Sequence, residues 1–212
     1  MDKATDKRAN RVRKIGGQVV HPLTFEGDDR VLVRALQADH PGAYEVLYRK
    51  YSEAVLSVLY RVMGSDTEMD ELLHEVFVRA FRNVDAIKDP DKLRSWLTGI
   101  AVFVARGTIR KRRRGRWLQF FAPSTLPEVA IPDHRGDTRR ALQRTYAILE
   151  QLSPDDRIAF ALRFIDGREL TEVAELTGVS LATIKRRLRS AKRRFFAMAN
   201  SEPELEEWLN NA

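Results

Sequence analysis

Lys185, Arg186, Arg187, Arg189, Lys192, Arg193 and Arg194 crowd one short stretch of the chain, interleaved with Ile184, Leu188, Ala191 and Phe195 at helical spacing. Such a helix is apolar along one stripe and cationic almost everywhere else. Cations at that density hold phosphates, and an arginine near the helix start can grip a guanine edge with two hydrogen bonds. A second run, Arg106, Arg110, Lys111, Arg112, Arg113, Arg114 and Arg116, has no acidic residue among its cations. Upstream of it on the same pattern stand Trp96 and Phe103, whose ring faces suit stacking on unpaired bases. The chemistry on offer is polyanion binding, with duplex contacts at one place and stacking at the other. Each run also reads as a solvated charged face, and Trp96 as a core residue.

Nothing suggests bond-making or bond-breaking. No serine has a histidine and an aspartate in a recognisable context, and there is no phosphate-binding glycine loop. The chain has no cysteine, which excludes disulfides and thiolate metal sites; His21, His40, His74 and His134 are scattered without ligand spacing. We therefore expect no catalysis, no cofactor and no metal. A net charge of +7 and a pI near 9.9 favour a polyanionic partner without choosing among DNA, RNA and an anionic membrane. No apolar run approaches the roughly 18 residues of a membrane span, and Met1 to Lys14 lacks the apolar core of a signal peptide. The expected location is cytoplasmic.

Helices must position these cations. A short pattern around Leu170 to Thr177 stops at Thr177-Gly178, Val179 follows as an apolar plug, and Ser180 stands where the next helix needs a cap. Ala174 is small enough for two helices to approach. This is a helix-turn-helix pattern whose second helix suits a major groove. Ahead of it lie a helix using Leu142, Ile148, Leu149 and Leu152, and another lined by Ile158, Ala161, Leu162 and Ile165. The latter starts at Ser153-Pro154-Asp155-Asp156: a cap, a proline, then two acids at the positive end of the helix dipole. These helices make a small domain over residues 138–200. An earlier domain over residues 28–116 needs four helices. The first is capped at Asp28 or Asp29 and the second opened by Pro41. The third is capped by Ser65 or Asp66 and carries Leu72, Leu73, Val76 and Phe77. The last starts at Asp89-Pro90 and buries Leu93, Trp96, Leu97, Ile100, Val104 and Ile109. Residues 117–137, with Pro123, Pro127 and Pro132, read as a linker. Residues 1–27 read as a mobile basic arm and residues 201–212 as an acidic tail. The expected fold is all-α: two small helical domains on a flexible linker, without strands and without a large mutual interface.

Three blocks, in this order and separation, resemble a bacterial RNA polymerase sigma factor of the sigma-70 family, in its compact extracytoplasmic-function (ECF) class. DELLHEVFVRAFR (70–82) looks like the family's core-polymerase-binding helix. LRSWLTGIA (93–101), with the basic run to Arg114, looks like its promoter-melting helix. LSPDDRIAFALRFIDGRELTEVAELTGVSLATIKRRLRSAKRR (152–194) looks like its −35-reading domain. The resemblance implies that Asp70, Glu71, His74, Glu75 and Arg79 face the polymerase clamp, with His74 where glutamine is usual. It implies −10 DNA contacts from the loop of residues 83–89, with Asn83, Asp85 and Lys88, and from Arg94, Trp96, Phe103, Arg106, Arg110 and Arg113. For the −35 element it implies Ser180, Thr183, Lys185, Arg186, Arg189 and Arg193. Val102, Phe103 and Gly107 depart from the family pattern around the melted strand, and Glu169 replaces a usual serine cap. The implied function is a promoter-specificity subunit that joins core RNA polymerase, reads promoter DNA and is held in check by an anti-sigma protein. A duplex-only helix-turn-helix regulator and an RNA-binding adaptor are the alternatives. Promoter-directed transcription with core polymerase separates the three.

Overall fold

The computed structural model describes residues 13–15, 18–20, 28–64, 68–118 and 136–199. Helix α1 (Asp29–Gln37) begins where the Asp28 carboxylate accepts the Arg30 N–H at 2.8 Å. Helix α2 (Pro41–Met63) has proline at its first position and is capped by His40, whose Nδ1 accepts the Gly42 N–H at 3.2 Å. Helix α3 (Met69–Arg82) follows. A 3-10 turn (Pro90–Lys92), capped by Asp89, leads into α4 (Leu93–Leu118). These four helices enclose Phe77, 2% exposed and flanked by Tyr48 and Phe81 at ring-centroid distances of 4.8 and 6.0 Å.

The second half holds α5 (Gly136–Gln151), α6 (Pro154–Phe160), α7 (Leu170–Thr177) and α8 (Leu181–Ala199), with α6 prolonged by a π turn (Ala161–Ile165). Ser153 caps α6, its Oγ accepting the Asp156 N–H at 3.1 Å, as the Ser-Pro-Asp-Asp start predicts. Phe160 stacks on Phe195 at 4.8 Å and joins α6 to α8. The second half thus builds its own small core from Ile148, Leu149, Leu152, Phe160, Ala191, Phe195 and Ala199.

Several expectations need correction. Helix α4 runs to Leu118 and α5 begins at Gly136, so both helices reach two residues into the stretch read as linker. Leu142 is exposed (41%) rather than core, leaving Ile148, Leu149 and Leu152 to anchor α5. Within the supposed arm, Arg13–Ile15 pairs antiparallel with Gln18–Val20, Arg13 opposite Val20; among the described residues the regular structure is otherwise helical, and the all-α class stands. The expected cap of α3 at Ser65 or Asp66 also fails, because the helix starts at Met69 behind Glu68 and has no side-chain cap bond; Ser65 and Asp66 themselves, the rest of the arm, residues 119–135 and the acidic tail lie outside the described residues.

The largest correction concerns the two halves, which share a continuous core. Helix α4 packs against α6 and α7 as well as α2 and α3, and α2 meets the π turn. Ile158, Ala159, Ala161, Leu162, Val173, Ala174, Ile184 and Leu188 are buried in the same cluster as the helices of the first half. The physical reason is visible in α6: every residue from Asp156 to Leu162 is buried. A helix buried all round has no face for water, so its apolar residues need partners on several sides, and its buried Asp156 and Arg157 need polar ones.

The junction is polar at one point. The last four carbonyls of an α-helix have no partner within it. At the end of α2 the Gly64 N–H serves Tyr60 O at 2.8 Å, and side chains of the other half reach all four. Tyr146 Oη lies 3.2 Å from Tyr60 O and 3.0 Å from Arg61 O. The buried guanidinium of Arg157 donates to Val62 O (Nε, 3.2 Å) and Met63 O (2.8 Å). Gly64 permits this approach. Its φ is +77°, and a Cβ there would stand 2.8 Å from the Tyr146 ring.

Candidate nucleic-acid interface

Helix α8 is aimed by the turn before it. Gly178 adopts the left-handed conformation (φ 68°, ψ 33°), and the Val179 N–H returns to Ala174 O at 3.1 Å. Ser180 Oγ then accepts the Thr183 N–H at 3.2 Å and lies 2.9 Å from Thr183 Oγ1. Both hydroxyls therefore serve the helix start. Glu169, in place of a serine, closes α7 another way: its N–H donates to Glu172 Oε2 at 3.0 Å. Ile184, Leu188, Ala191 and Phe195 turn inward as their spacing predicts. Ser180, Lys185, Arg186, Arg189 and Arg193 are exposed and Thr183 is half-buried, so α8 presents an open cationic face.

Arg187 and Arg194 leave that face. Arg187 lies 3.3 Å from Asp155 and Arg194 4.0 Å from Asp156. Asp155 also meets α4: Arg110 donates to its Oδ2 at 3.2 Å, and Arg106 Nε lies 3.2 Å from its Oδ1. Arg106 further donates to Thr177 O at the end of α7, at 3.2 Å. One carboxylate thus serves three guanidiniums drawn from both cationic helices. The fit is imperfect, since Arg106 Nε, Asp155 Oδ1 and one Arg187 terminal nitrogen are buried without hydrogen-bond alignment. Burial pulls the Arg106 guanidinium below its usual pKa. Asp155 opposes that shift, and Arg110 and Arg187 add to it. The group nonetheless stays charged at any ordinary pH.

The remaining α4 candidates divide. Arg94, Phe103 (56% exposed), Arg110 and Arg113 are exposed, Trp96 is half-buried against the core, and Val102 points into it at 1%. The loop before α4 is pinned by buried Val84 and Ile87 and by Gln37, which donates to Ile87 O at 3.2 Å. Asp85 and Lys88 project from it, while Asn83 Nδ2 donates to Arg79 O at 2.7 Å.

On α3, Asp70, Glu71, His74 and Arg79 are exposed and Glu75 is half-buried, with Arg79 Nε 2.6 Å from Glu75 Oε1. The Arg79 guanidinium also stands 5.2 Å from the centre of the Phe103 ring. Residues assigned from sequence to different partners therefore touch.

Sequence reasoning missed Asp155, Arg157, Tyr146 and the Arg61–Asp166 ion pair between α2 and the end of the π turn. The Ser-Pro-Asp-Asp pattern gives Asp155 only a helix-dipole role. A better signal was the lone Arg157 at the head of an apolar run. Among the described residues no acid, histidine or cysteine group is placed to hold a metal, and no helix is long and apolar enough to cross a membrane.

Two family models match the chain in order: Sigma-70 region 2 over residues 47–115 and Sigma-70, region 4 over residues 142–195, together more than half of its length. The ECF RNA polymerase sigma-E factor of Escherichia coli (strain K12) is 25% identical over 173 residues, covering 77% of this chain and 90% of that protein. The ECF RNA polymerase sigma factor SigX of Bacillus subtilis (strain 168) is 26% identical over 147 residues, covering 67% and 76%. In fold, the chain is similar to the sigma factor RpoE from Bartonella quintana, solved in complex with the anti-sigma factor NepR. That match has a TM-score of 0.54 and 22% identity and covers 75% of this chain and 98% of that one.

Proposed function

Because this chain belongs to the sigma-70 family of RNA polymerase sigma factors, in its ECF class, we propose that its helices divide the work of promoter-directed initiation as follows. The α3 face of Asp70, Glu71, His74, Glu75 and Arg79 docks core RNA polymerase. The loop of residues 83–89 and the α4 stripe of Arg94, Phe103, Arg106, Arg110 and Arg113 hold the unpaired −10 strand, with Trp96 packing beneath. The start of α8 reads the duplex −35 element through Lys185, Arg186 and Arg189, with Arg193 on phosphate. Binding energy gained on the unpaired strand offsets the cost of opening the duplex. The chain adds no catalytic step of its own and works in the cytoplasm, where an anti-sigma protein is its regulatory partner.

The observation that carries this reading is the open cationic face of α8 behind a capped helix-turn-helix, in one chain with a second cationic helix that displays an exposed aromatic ring. Transcription from a promoter library by purified core polymerase plus this chain tests it. A defined set of promoters enriched only when the chain is present is the expected result; no enrichment over core polymerase alone sinks the reading. In the same assay Arg186→Ala should cost about 1–3 kcal/mol at one base pair of the −35 element and relax the preference there. Selection identical to the parent's removes Arg186 from base reading.

Docking has a separate test. Glu75→Arg and Arg79→Glu should each weaken retention of core polymerase on the immobilised chain. The Glu75–Arg79 pair is a solvent-accessible i,i+4 pair with both side chains close to half exposed, so its loss should change stability by less than about 1 kcal/mol. Undiminished retention by both folded variants excludes this face.

A further inference from the structure

Helix α1 has no part in the proposed function, yet it holds the −10 loop at two places, one on the loop and one just past it. Gln37 Nε2, at the end of α1, donates to Ile87 O at 3.2 Å and lies 3.5 Å from Val84 O. These two carbonyls bracket a single 3-10 turn (Val84–Ala86), so one amide closes the bend across its neck. At the start of α1, Arg30 grips Asp91, in the turn that follows the loop, through two bonds of 2.9 and 2.6 Å. Helix α1 is itself fixed. Asp29 accepts from Tyr51 Oη at 2.5 Å and from Lys50 Nζ at 2.8 Å, both on α2, and Leu32, Val33 and Leu36 are buried.

Between the two grips the loop turns Asp85, Ala86 and Lys88 to solvent, while Val84 and Ile87 are buried. Asp85 offers an acceptor and Lys88 a donor to the edge of a base. Discrimination among bases is a difference of affinities, and a loop free to reshape itself would fit several of them. A loop held from outside by a rigid helix cannot adapt in that way. Resting on the function proposed above, we propose that Gln37 is a positioning residue for −10 base selection: it fixes the backbone from Val84 to Ile87, so that the loop accepts one unpaired base and rejects the others. A folding role does not account for the contact as well. Gln37 is exposed, so water competes for its hydrogen bonds and their net contribution to stability is small.

The test pairs the full chain with core polymerase on a promoter library randomised at both the −10 and the −35 positions. Gln37→Met keeps the length of the side chain without its donor, and Gln37→Ala removes the side chain. Gln37→Lys returns an N–H donor on a stem long enough to reach the carbonyls. In Gln37→Met and Gln37→Ala the preference at one −10 position should fall at least about fivefold, the low end of what a single base contributes. Preference at −35 and retention of core polymerase should match the parent's. Gln37→Lys should recover most of the −10 preference. Asp91→Asn weakens the second grip and should broaden the same position.

A −10 preference left intact in Gln37→Met and Gln37→Ala overturns the proposal. So does a loss spread evenly over all promoters, which is what a merely structural contact would produce. Failure of Gln37→Lys to recover what Gln37→Met loses overturns it as well, because the carbonyl contacts are then not the cause. The parent's own profile judges the reading beneath. A parent that prefers no base at −10 removes the loop from promoter reading and the proposal with it. A parent preference that the variants share leaves the proposed function standing and removes Gln37 alone.

Discussion

Arg157→Met should split the thermal unfolding of the free chain. The parent, with a core continuous through both halves, should melt as one transition. In the variant the second half should detach at a lower temperature. Arg157 is 4% exposed and donates to Val62 O and Met63 O. Each such charged bond contributes about 1.5–3 kcal/mol, and its removal strands an acceptor at the junction. Opening lets water reach those carbonyls, so the loss falls on the coupling of the halves rather than on the fold of either. The expected cost is roughly 3 kcal/mol, or on the order of 6–12 °C for a chain of this size. A single transition at the parent's temperature by calorimetry refutes the assignment.

Gly64→Ala should be nearly as damaging, for two separable reasons. The backbone at Gly64 (φ 77°, ψ −159°) lies in a region open essentially to glycine alone, and strain there costs about 1–3 kcal/mol. The added methyl would also meet the Tyr146 ring at 2.8 Å and push its hydroxyl from the α2 carbonyls. Chemical denaturation of Gly64→Ala in the parent and in a Tyr146→Ala background separates the two. The strain should persist in both and the collision should vanish from the second. Equal costs in the two backgrounds mean that the ring contact contributes nothing.

Local structure was legible in the sequence because local chemistry dictates it. Asp28, Asp89, Ser153 and Ser180 cap the helices they precede, and Gly178 turns the chain between α7 and α8. The apolar stripe of α8 is buried residue for residue. Membership of a family was equally legible, through three motifs in order. What periodicity does not encode is which apolar face meets which. Val173, Ile184 and Leu188 look the same in sequence whether they close a small domain or join a larger core. Charges misled for a related reason. Arg106 and Arg187 have no acid beside them in the chain, and their partner Asp155 is brought near only by the packing of α6 on α4 and α8. Trp96 and Val102 were easier, since position in the helical period alone predicts an inward lean.

The π turn after α6 acts through chain length rather than side-chain type. Its widened loop, Asp166 N–H to Ala161 O at 2.8 Å, amounts to one residue inserted into a helix that advances about 100° per residue. Before the insertion Phe160 addresses α8; after it, Asp166 reaches Arg61 on α2. A straight helix would point Asp166 elsewhere by about that angle. The orientation of the second half on the first is therefore written partly as a residue count. Deleting one residue between Ala161 and Ile165 would keep the composition almost unchanged and still turn the downstream helix-turn-helix to a different bearing.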